Sequence, residues 1–461
     1  MEIVATSSTA GVRAVDPPVP LGRIAAAREL GRDALGTFDT VWRGHGDVVR
    51  LEVGPPGVGR TLLVLSSPDA AATIFGGTTW RTFTKDDDVY AEIRGWLGDG
   101  LLSAQGEEWT RQRRFVQPVF THAAVDGYTD LMVGEIEEVI GQLRQGGDID
   151  LGDTMMGLTL RVVVRALFGA VGDDAIPTVR TAFPELSEVV IRRGLAPVRT
   201  PRAWPTPRNL RGRAHQRQLW ALCDRIIAER RASEGADSDL LGRLLAARDG
   251  AESLSDREIR DQVLIFLLAG HETTSTALTY ALHLLGRHPD IQERVHEEVA
   301  EVLGDRRPTA RDAGALTYTT ACLKEAMRLY PSAPIIGRVA SEDTVVSGVD
   351  VARDDIVIVA VRNIQRHPDH WPEPLRFDPD RFLDGADAGR HRYAWMAFGG
   401  GPRACIGRYF SMTEALLVLA MLLRDHRVEA LAEPDDLPVT AAITLAPAEP
   451  VHVRLHPRRL R

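Results

Sequence analysis

The sequence predicts a mainly helical chain with a minor share of β structure. Residues 68 to 330 read mostly as helix, and the β-like runs are short and lie towards the two ends, at 47–66 and 335–361. One helix, opening at "SDREI" and continuing to about Gly286, would be on the order of 45 Å long at about 1.5 Å per residue. That is enough to cross a large domain.

The chain opens on a lead-in over residues 1–20. Its Pro-rich end, "DPPVPLG" (16–22), is extended, because each proline lacks a donor and disfavours helix in the residue before it. The runs "DVVRLEV" (47–53) and "RTLLVLS" (60–66) flank the turn signal "GPPGVG" and predict a hairpin. Prolines and polar residues make "TPRAWPTPRN" (200–209) a loop inside the helical region. A second hairpin is predicted at "TVVSGVDVA", with a strand at "DIVIVAV" after it. The stretch "RHPDHWPEPLRFDPDRF" has no clear period and leads to a glycine-rich loop, "FGGGPRACIG" (398–407). A last helix, "IGRYFSMTEALLVLAMLLRDH", precedes a short β tail containing "AAITLAP".

A chain of 461 residues, 44% of them hydrophobic, can bury a large core. No internal repeat or low-complexity linker divides it. The net charge of −9 argues against a general nucleic-acid binder. The N-terminus has no basic start followed by an apolar segment, and no run reaches the roughly 18 apolar residues that span a bilayer. A cytoplasmic protein without a transmembrane anchor is expected. Lysine occurs only at Lys85 and Lys324, so arginine supplies nearly all of the 55 basic residues. Such a bias fits a GC-rich bacterial genome.

The three cysteines, Cys223, Cys322 and Cys405, are an odd number in a chain too long to need disulfide staples. Cys223 and Cys322 lie in helical segments and read as packed thiols. Cys405, inside the glycine-rich loop, requires another role.

Other segments combine unusual residues. In the long helix, Ser255 and Glu258 have capping-box spacing, and the apolar "VLIFLLAG" runs straight into Gly270, Glu272, Thr273 and Thr274. Glycine costs about 1 kcal/mol mid-helix and buried polar groups need partners, so this is a local fault. It is either a solvent-facing polar stripe or a place where hydroxyls and carbonyls hold water or a small ligand. His271, about 100° around from its neighbours, reads as packing or surface. Glu325 and Arg328 in "KEAMRLYP" share a helix face. Arg381 sits in "FDPDRF". Trp109 and Arg113, four apart, place an indole N–H and a guanidinium where both can bind one anion, or are a core aromatic beside an exposed arginine.

In order, Trp109 with Arg113, "AGHETT", Glu325 with Arg328, "FDPDRF" and the cysteine loop resemble the cytochrome P450 family along essentially the whole chain. The loop meets every fixed position of that family's haem-binding pattern. The resemblance implies one haem domain over residues 21–461, mainly α with a small β-rich lobe. Haem b would lie between the long central helix and the helix after the cysteine.

Under this resemblance Cys405 is the thiolate ligand of the haem iron, stabilised by its place before a helix N-terminus. Phe398 packs beside the sulfur, and Gly407 lets the backbone approach it. Trp109, Arg113, Arg403 and Arg338 bind the haem propionates. Glu325, Arg328 and Arg381 form a buried structural network. Thr273 would hydrogen-bond dioxygen, and Glu272 with waters would relay protons to it. Ala397 and Ser332 stand where the family often has proline, away from the chemistry.

The implied activity is insertion of one oxygen atom into a hydrophobic small molecule, such as a terpenoid or polyketide of secondary metabolism. Its alternatives are a peroxygenase or isomerase, or a haem sensor or carrier without turnover. Leu264, Leu268, Ala269, Ala333, Ile335, Ile336, Thr444 and Leu445 are the expected pocket lining, and residues 81–105 and 184–210 the access loops. The chain carries no flavin or nicotinamide fingerprint. Electrons would come from a separate ferredoxin or flavodoxin with its NAD(P)H-dependent reductase, docking near Arg111, Arg114 and Arg408.

Overall fold

The structure is a computed structural model and describes residues 14–15, 22–55, 59–169, 175–194, 196, 200–232, 239–383, 385–432, 436–441 and 443–458. Most of the lead-in, including residues 16–21, lies outside the described residues, as do 56–58 of the first predicted turn and 195 and 197–199 of the second access segment.

The architecture is a large helical body with a β-rich lobe at one side. In the lobe, a six-stranded sheet runs in the order Ala14–Val15, Val48–Val53, Arg60–Leu65, Ile356–Val359, Ile336–Ala340, Phe83–Thr84. The predicted 47–66 hairpin is present, with Val48 opposite Leu65 and Val53 opposite Arg60. Strand Arg60–Leu65 pairs in parallel with Ile356–Val359, and this joins the two distant β regions of the sequence into one sheet. The "TVVSGVDVA" hairpin forms over Thr344–Val346 and Val349–Val351, and the tail hairpin over Val439–Ala441 and Leu445–Pro447.

The central helix, Asp256–Arg287, is continuous over 32 residues. Ser255 accepts from the Glu258 N–H and Glu258 reaches back to the Ser255 N–H, completing the capping box. Nearly every apolar side chain along it is buried, so its stability comes from packing on all sides. Its main neighbour is the helix Leu151–Phe168, capped by Asp150. The closing helix, Arg408–Asp425, packs against the central helix and against Thr317–Leu329.

Two expectations are revised. The 200–209 loop ends sooner, because Pro207 begins the helix Pro207–Ala232; proline suits a first helical position, where no N–H is needed. The "fault" in the central helix is no break. Thr273 and Thr274 donate to the carbonyls of Ala269 and Gly270 at 2.7 and 3.1 Å, within the helix, and Thr276 divides its one donor between Glu272 O at 2.9 Å and Leu445 O outside the helix. At Gly270 a Cβ would fall 2.7 Å from Val163 Cγ2, so the glycine allows the close approach of the helix Leu151–Phe168.

Candidate active site

The cysteine loop is shaped by its glycines. Gly399 and Gly401 have φ of 70° and 63°, and a Cβ on Gly401 would fall 2.0 Å from the Phe75 carbonyl oxygen. The loop closes through Cys405 N–H donating to Phe398 O at 2.9 Å. Gly407 caps the closing helix, and its N–H donates to the Cys405 sulfur. Burial nevertheless pushes the thiol up, while Gly407, Arg408, Arg113 and Lys85 pull towards thiolate. Cys405 is surrounded by protein yet keeps exposed surface, as a side chain facing an internal cleft does.

The central helix forms another wall. Ala269 is exposed and Gly270, Glu272 and Thr273 are half-buried, in the middle of a helix whose neighbours are closed off. Phe266 and Phe410 flank Phe120 with ring centroids 5.2 and 6.5 Å away, and Phe120 lies 3.9 Å from where a Gly407 Cβ would stand. This aromatic contact bridges the central helix and the cysteine loop.

Positive charge gathers beside the sulfur. Arg403 and Arg113 lie over the faces of the Trp109 ring, 4.1 and 5.4 Å from its centroid, and Trp109 and Arg338 are buried. Lys85 is buried too, its Nζ donating to Leu102 O at 2.7 Å and lying 5.0 Å from the Tyr90 ring. Burial lowers the affinity of Lys85, Arg113 and Arg403 for their protons, and Arg338 lowers it further for Lys85 and Arg403. Among the described residues none of the four basic side chains has an acidic ion-pair partner; Arg403 donates to Ala104 O and Arg338 to Gly337 O. Sequence reasoning missed Lys85. Its signal was its rarity, one of two lysines in an arginine-rich chain.

Around Glu272 three segments meet. Thr444 Oγ1 donates to Glu272 Oε2 at 3.3 Å, Thr276 Oγ1 to Leu445 O at 3.0 Å, and Leu445 N–H to Ser332 O at 2.9 Å. Burial pushes the Glu272 carboxyl up to about 7, against the smaller opposing pull of Thr444. Ser332 is corrected: its hydroxyl donates to Thr273 O at 2.8 Å, so it anchors the helix at the threonine itself. Of the expected pocket residues, Ala269, Ala333, Ile335, Ile336 and Thr444 retain accessible surface. Leu264, Leu268 and Leu445 are fully enclosed and stand behind the wall. His271 is a packed residue against Phe183, neutral because burial lowers it to about 4.

Beneath the site, Glu325 and Arg328 are fully buried. Arg328 donates to both carboxylate oxygens at 2.6 and 2.8 Å and to the carbonyls of Gln365, Pro374 and Arg376. Arg381 Nε lies 3.3 Å from Glu325 Oε1. Phe398 packs against Trp395, and the Arg408 guanidinium lies over both rings. Cys223 and Cys322 are buried, their thiols pushed up by burial.

A thiol on the floor, an apolar helix opposite and a cationic rim without acidic partners among the described residues together fit a flat apolar macrocycle bearing two carboxylates and a soft-ligated metal, the properties of a haem. The cationic group supplies the carboxylates' partners, and Cys405 the sulfur. Residues 17–453 match the family model described as cytochrome P450, and the chain belongs to that family. It is a monooxygenase with a haem-iron cofactor. It is 34% identical to pentalenene oxygenase of Streptomyces avermitilis, over 90% of each chain. It is also 34% identical to cyclooctat-9-en-7-ol 5-monooxygenase of Streptomyces melanosporofaciens, over 83% of each. The crystal structure of the cytochrome P450DA heme domain superimposes with a TM-score of 0.84 at 30% identity, covering 98% of both chains.

Proposed function

We propose that this chain uses haem b, ligated by Cys405, to oxygenate an apolar small molecule of terpenoid type. The observation that carries the site assignment is the accessible Cys405 sulfur beside four cations that have no acidic ion-pair partner among the described residues. The terpenoid class rests on the two Streptomyces relatives, whose names describe oxidation of pentalenene and of cyclooctat-9-en-7-ol. When bound, the haem supplies reductive activation of dioxygen and transfer of one oxygen atom.

The protein's own groups do the rest. Lys85, Arg113, Arg338 and Arg403 hold the propionates, with Trp109 as the platform for two of them. The Gly407 N–H bond moderates the charge on the sulfur. Glu272, with a carboxyl balanced near neutrality, holds and releases a proton at Oε2, while Thr273 exchanges its bond to Ala269 O for one to dioxygen. Ala269, Ala333, Ile335 and Ile336 give an apolar lining that excludes water.

Electrons come from a separate ferredoxin or flavodoxin. A narrower docking face is supported by the ion pairs of Arg111 with Glu258, Glu108 and Glu252, and of Arg114 with Asp249 at 3.0 Å. Their charge is already compensated, which leaves the exposed Arg408 as the steering residue.

Cyclic terpene hydrocarbons are expected to move the Soret band from low to high spin, and NAD(P)H with a donor to yield hydroxylated product. Hydrogen peroxide alone should give little. Cys405→Ser should abolish the strongly red-shifted band of the reduced carbon monoxide complex; an unchanged band would refute the ligand assignment. Spin shifts with charged, hydrophilic compounds alone would refute the substrate class.

A further inference from the structure

Thr274 is fully buried, whereas its neighbour Thr273 keeps accessible surface. Successive residues of a helix point about 100° apart, so the two threonines serve different neighbours. Thr273 borders the slot, and Thr274 meets the closing helix Arg408–Asp425. Thr274 Oγ1 and Ser411 Oγ are 2.9 Å apart, and Thr274 Oγ1 also lies 3.1 Å from Gly270 O. Each hydroxyl has one proton. Ser411 donating to Thr274, and Thr274 to Gly270 O, is the only order that makes both bonds.

Ser411 belongs to the first turn of the closing helix. Its N–H donates to Gly407 O at 2.9 Å, and the Gly407 N–H donates to the Cys405 sulfur. A series of hydrogen-bonded residues therefore leads from the sulfur, through Gly407, Ser411 and Thr274, to the Gly270 carbonyl, in the turn that carries Glu272 and Thr273. From another side Ser332 Oγ donates to Thr273 O at 2.8 Å and anchors the same turn.

We infer that Ser411 and Thr274 are positioning residues of the oxygenation site, their hydroxyl pair holding the cysteine loop and the Glu272–Thr273 turn at a fixed separation across the slot. The inference rests on the haem-thiolate reading above. Packing alone could hold the two helices together, and the nearby contact of Phe266, Phe120 and Phe410 does so, but burial of apolar surface is non-directional. A hydrogen bond weakens steeply with distance and angle, so it also fixes the register of one helix on the other. Without the pair, the turn would sample more than one position relative to the sulfur. Substrate would still bind, while Thr273 and Glu272 would meet dioxygen in the wrong place for part of the time.

The test compares haem-loaded Ser411→Ala, Thr274→Val and Thr274→Ser with the parent. Its readouts are the C–O stretching band of the reduced carbon monoxide complex, which senses the groups beside the bound gas, and product per NAD(P)H. One band is expected in the parent and in Thr274→Ser, which keeps the hydroxyl. Ser411→Ala and Thr274→Val should each add a second band and lower product per NAD(P)H roughly two- to tenfold, the range that one neutral hydrogen bond spans, with the midpoint of the substrate-induced spin shift unchanged. The double variant Ser411→Ala/Thr274→Val should lose no more than the worse single variant, because both remove the same link. Additive losses, parental bands in Ser411→Ala and Thr274→Val, or a second band in Thr274→Ser as strong as in Thr274→Val overturn the inference. A parent lacking the strongly red-shifted carbon monoxide band would refute the haem-thiolate reading and this inference with it. Variants indistinguishable from a parent that shows the band refute this inference alone.

Discussion

Thr444 Oγ1 and Glu272 Oε2 are 3.3 Å apart, and this bond ties the turn of the C-terminal β hairpin to the polar segment of the central helix. It stabilises the ionised carboxylate, whereas burial favours the neutral acid and dominates. Thr444→Val should therefore raise the Glu272 value above about 7, moving the corresponding limb of the kcat–pH profile to alkaline pH by up to about one unit. Thr444→Ser should restore it. A profile unmoved by valine would separate Glu272 from the proton-limited step.

Thr273→Ala removes the hydroxyl and one methyl group from the wall. Haem content and the substrate-induced spin shift should be retained, while product per NAD(P)H falls and peroxide or water formation rises. Equal coupling in variant and parent would remove Thr273 from oxygen handling.

Arg328→Ala should leave Glu325 as a buried charge supported by Arg381 and the Asp378 N–H, at a cost of roughly 3–5 kcal/mol. Arg328→Lys should recover little, because an ammonium cannot span both carboxylate oxygens and three backbone carbonyls. Haem-free or aggregated protein is expected in both cases, and a stable, fully loaded Arg328→Ala protein would contradict this.

Lys85→Met separates fold from cofactor. With no anion present, Lys85 is repelled by Arg338 and Arg403, so the haem-free chain should be no less stable without it. Haem transfer to apomyoglobin should quicken roughly tenfold, as one charge-assisted bond is lost. Unchanged transfer would take Lys85 out of the propionate site.

Glu414, on the closing helix, is fully buried and neither carboxylate oxygen has a hydrogen-bond partner among the described residues. Burial raises it well above 4.5, so the folded chain keeps a proton that the unfolded chain releases. Stability therefore falls as pH rises through the window above about 4.5. The melting temperature of Glu414→Gln relative to the parent should rise from mildly acidic to alkaline pH. A difference independent of pH would mean that Glu414 does not titrate on unfolding.

Much of this was legible because it rested on local chemistry. Ser255 with Glu258 announced the start of the central helix, and the glycines around Cys405 announced a loop that no bulkier residue could form. What lay hidden depended on distant contacts. Arg60–Leu65 pairs with a strand nearly 300 residues later, and no local pattern encodes that partner. Lys85 stands out in the sequence only by its rarity, because its significance lies in Arg338 and Arg403, which only folding brings near. Arg111 and Arg114 looked like a free basic face until Glu258 and Asp249 met them. Ser332 looked remote from chemistry because its bond to Thr273 O crosses 59 residues of sequence.

Gly270 acts as a spacer. A single methyl group there would press on Val163 Cγ2 at 2.7 Å, and relief would require moving either the helix Leu151–Phe168 outward or the central helix towards Cys405. The width of the slot between Ala269 and the sulfur is thus set from behind the wall. Substrate size would thus respond to bulk added on the side of the helix facing Val163, so an enlarged residue 270 would narrow the range of ring systems accepted while leaving the identity of every pocket side chain unchanged.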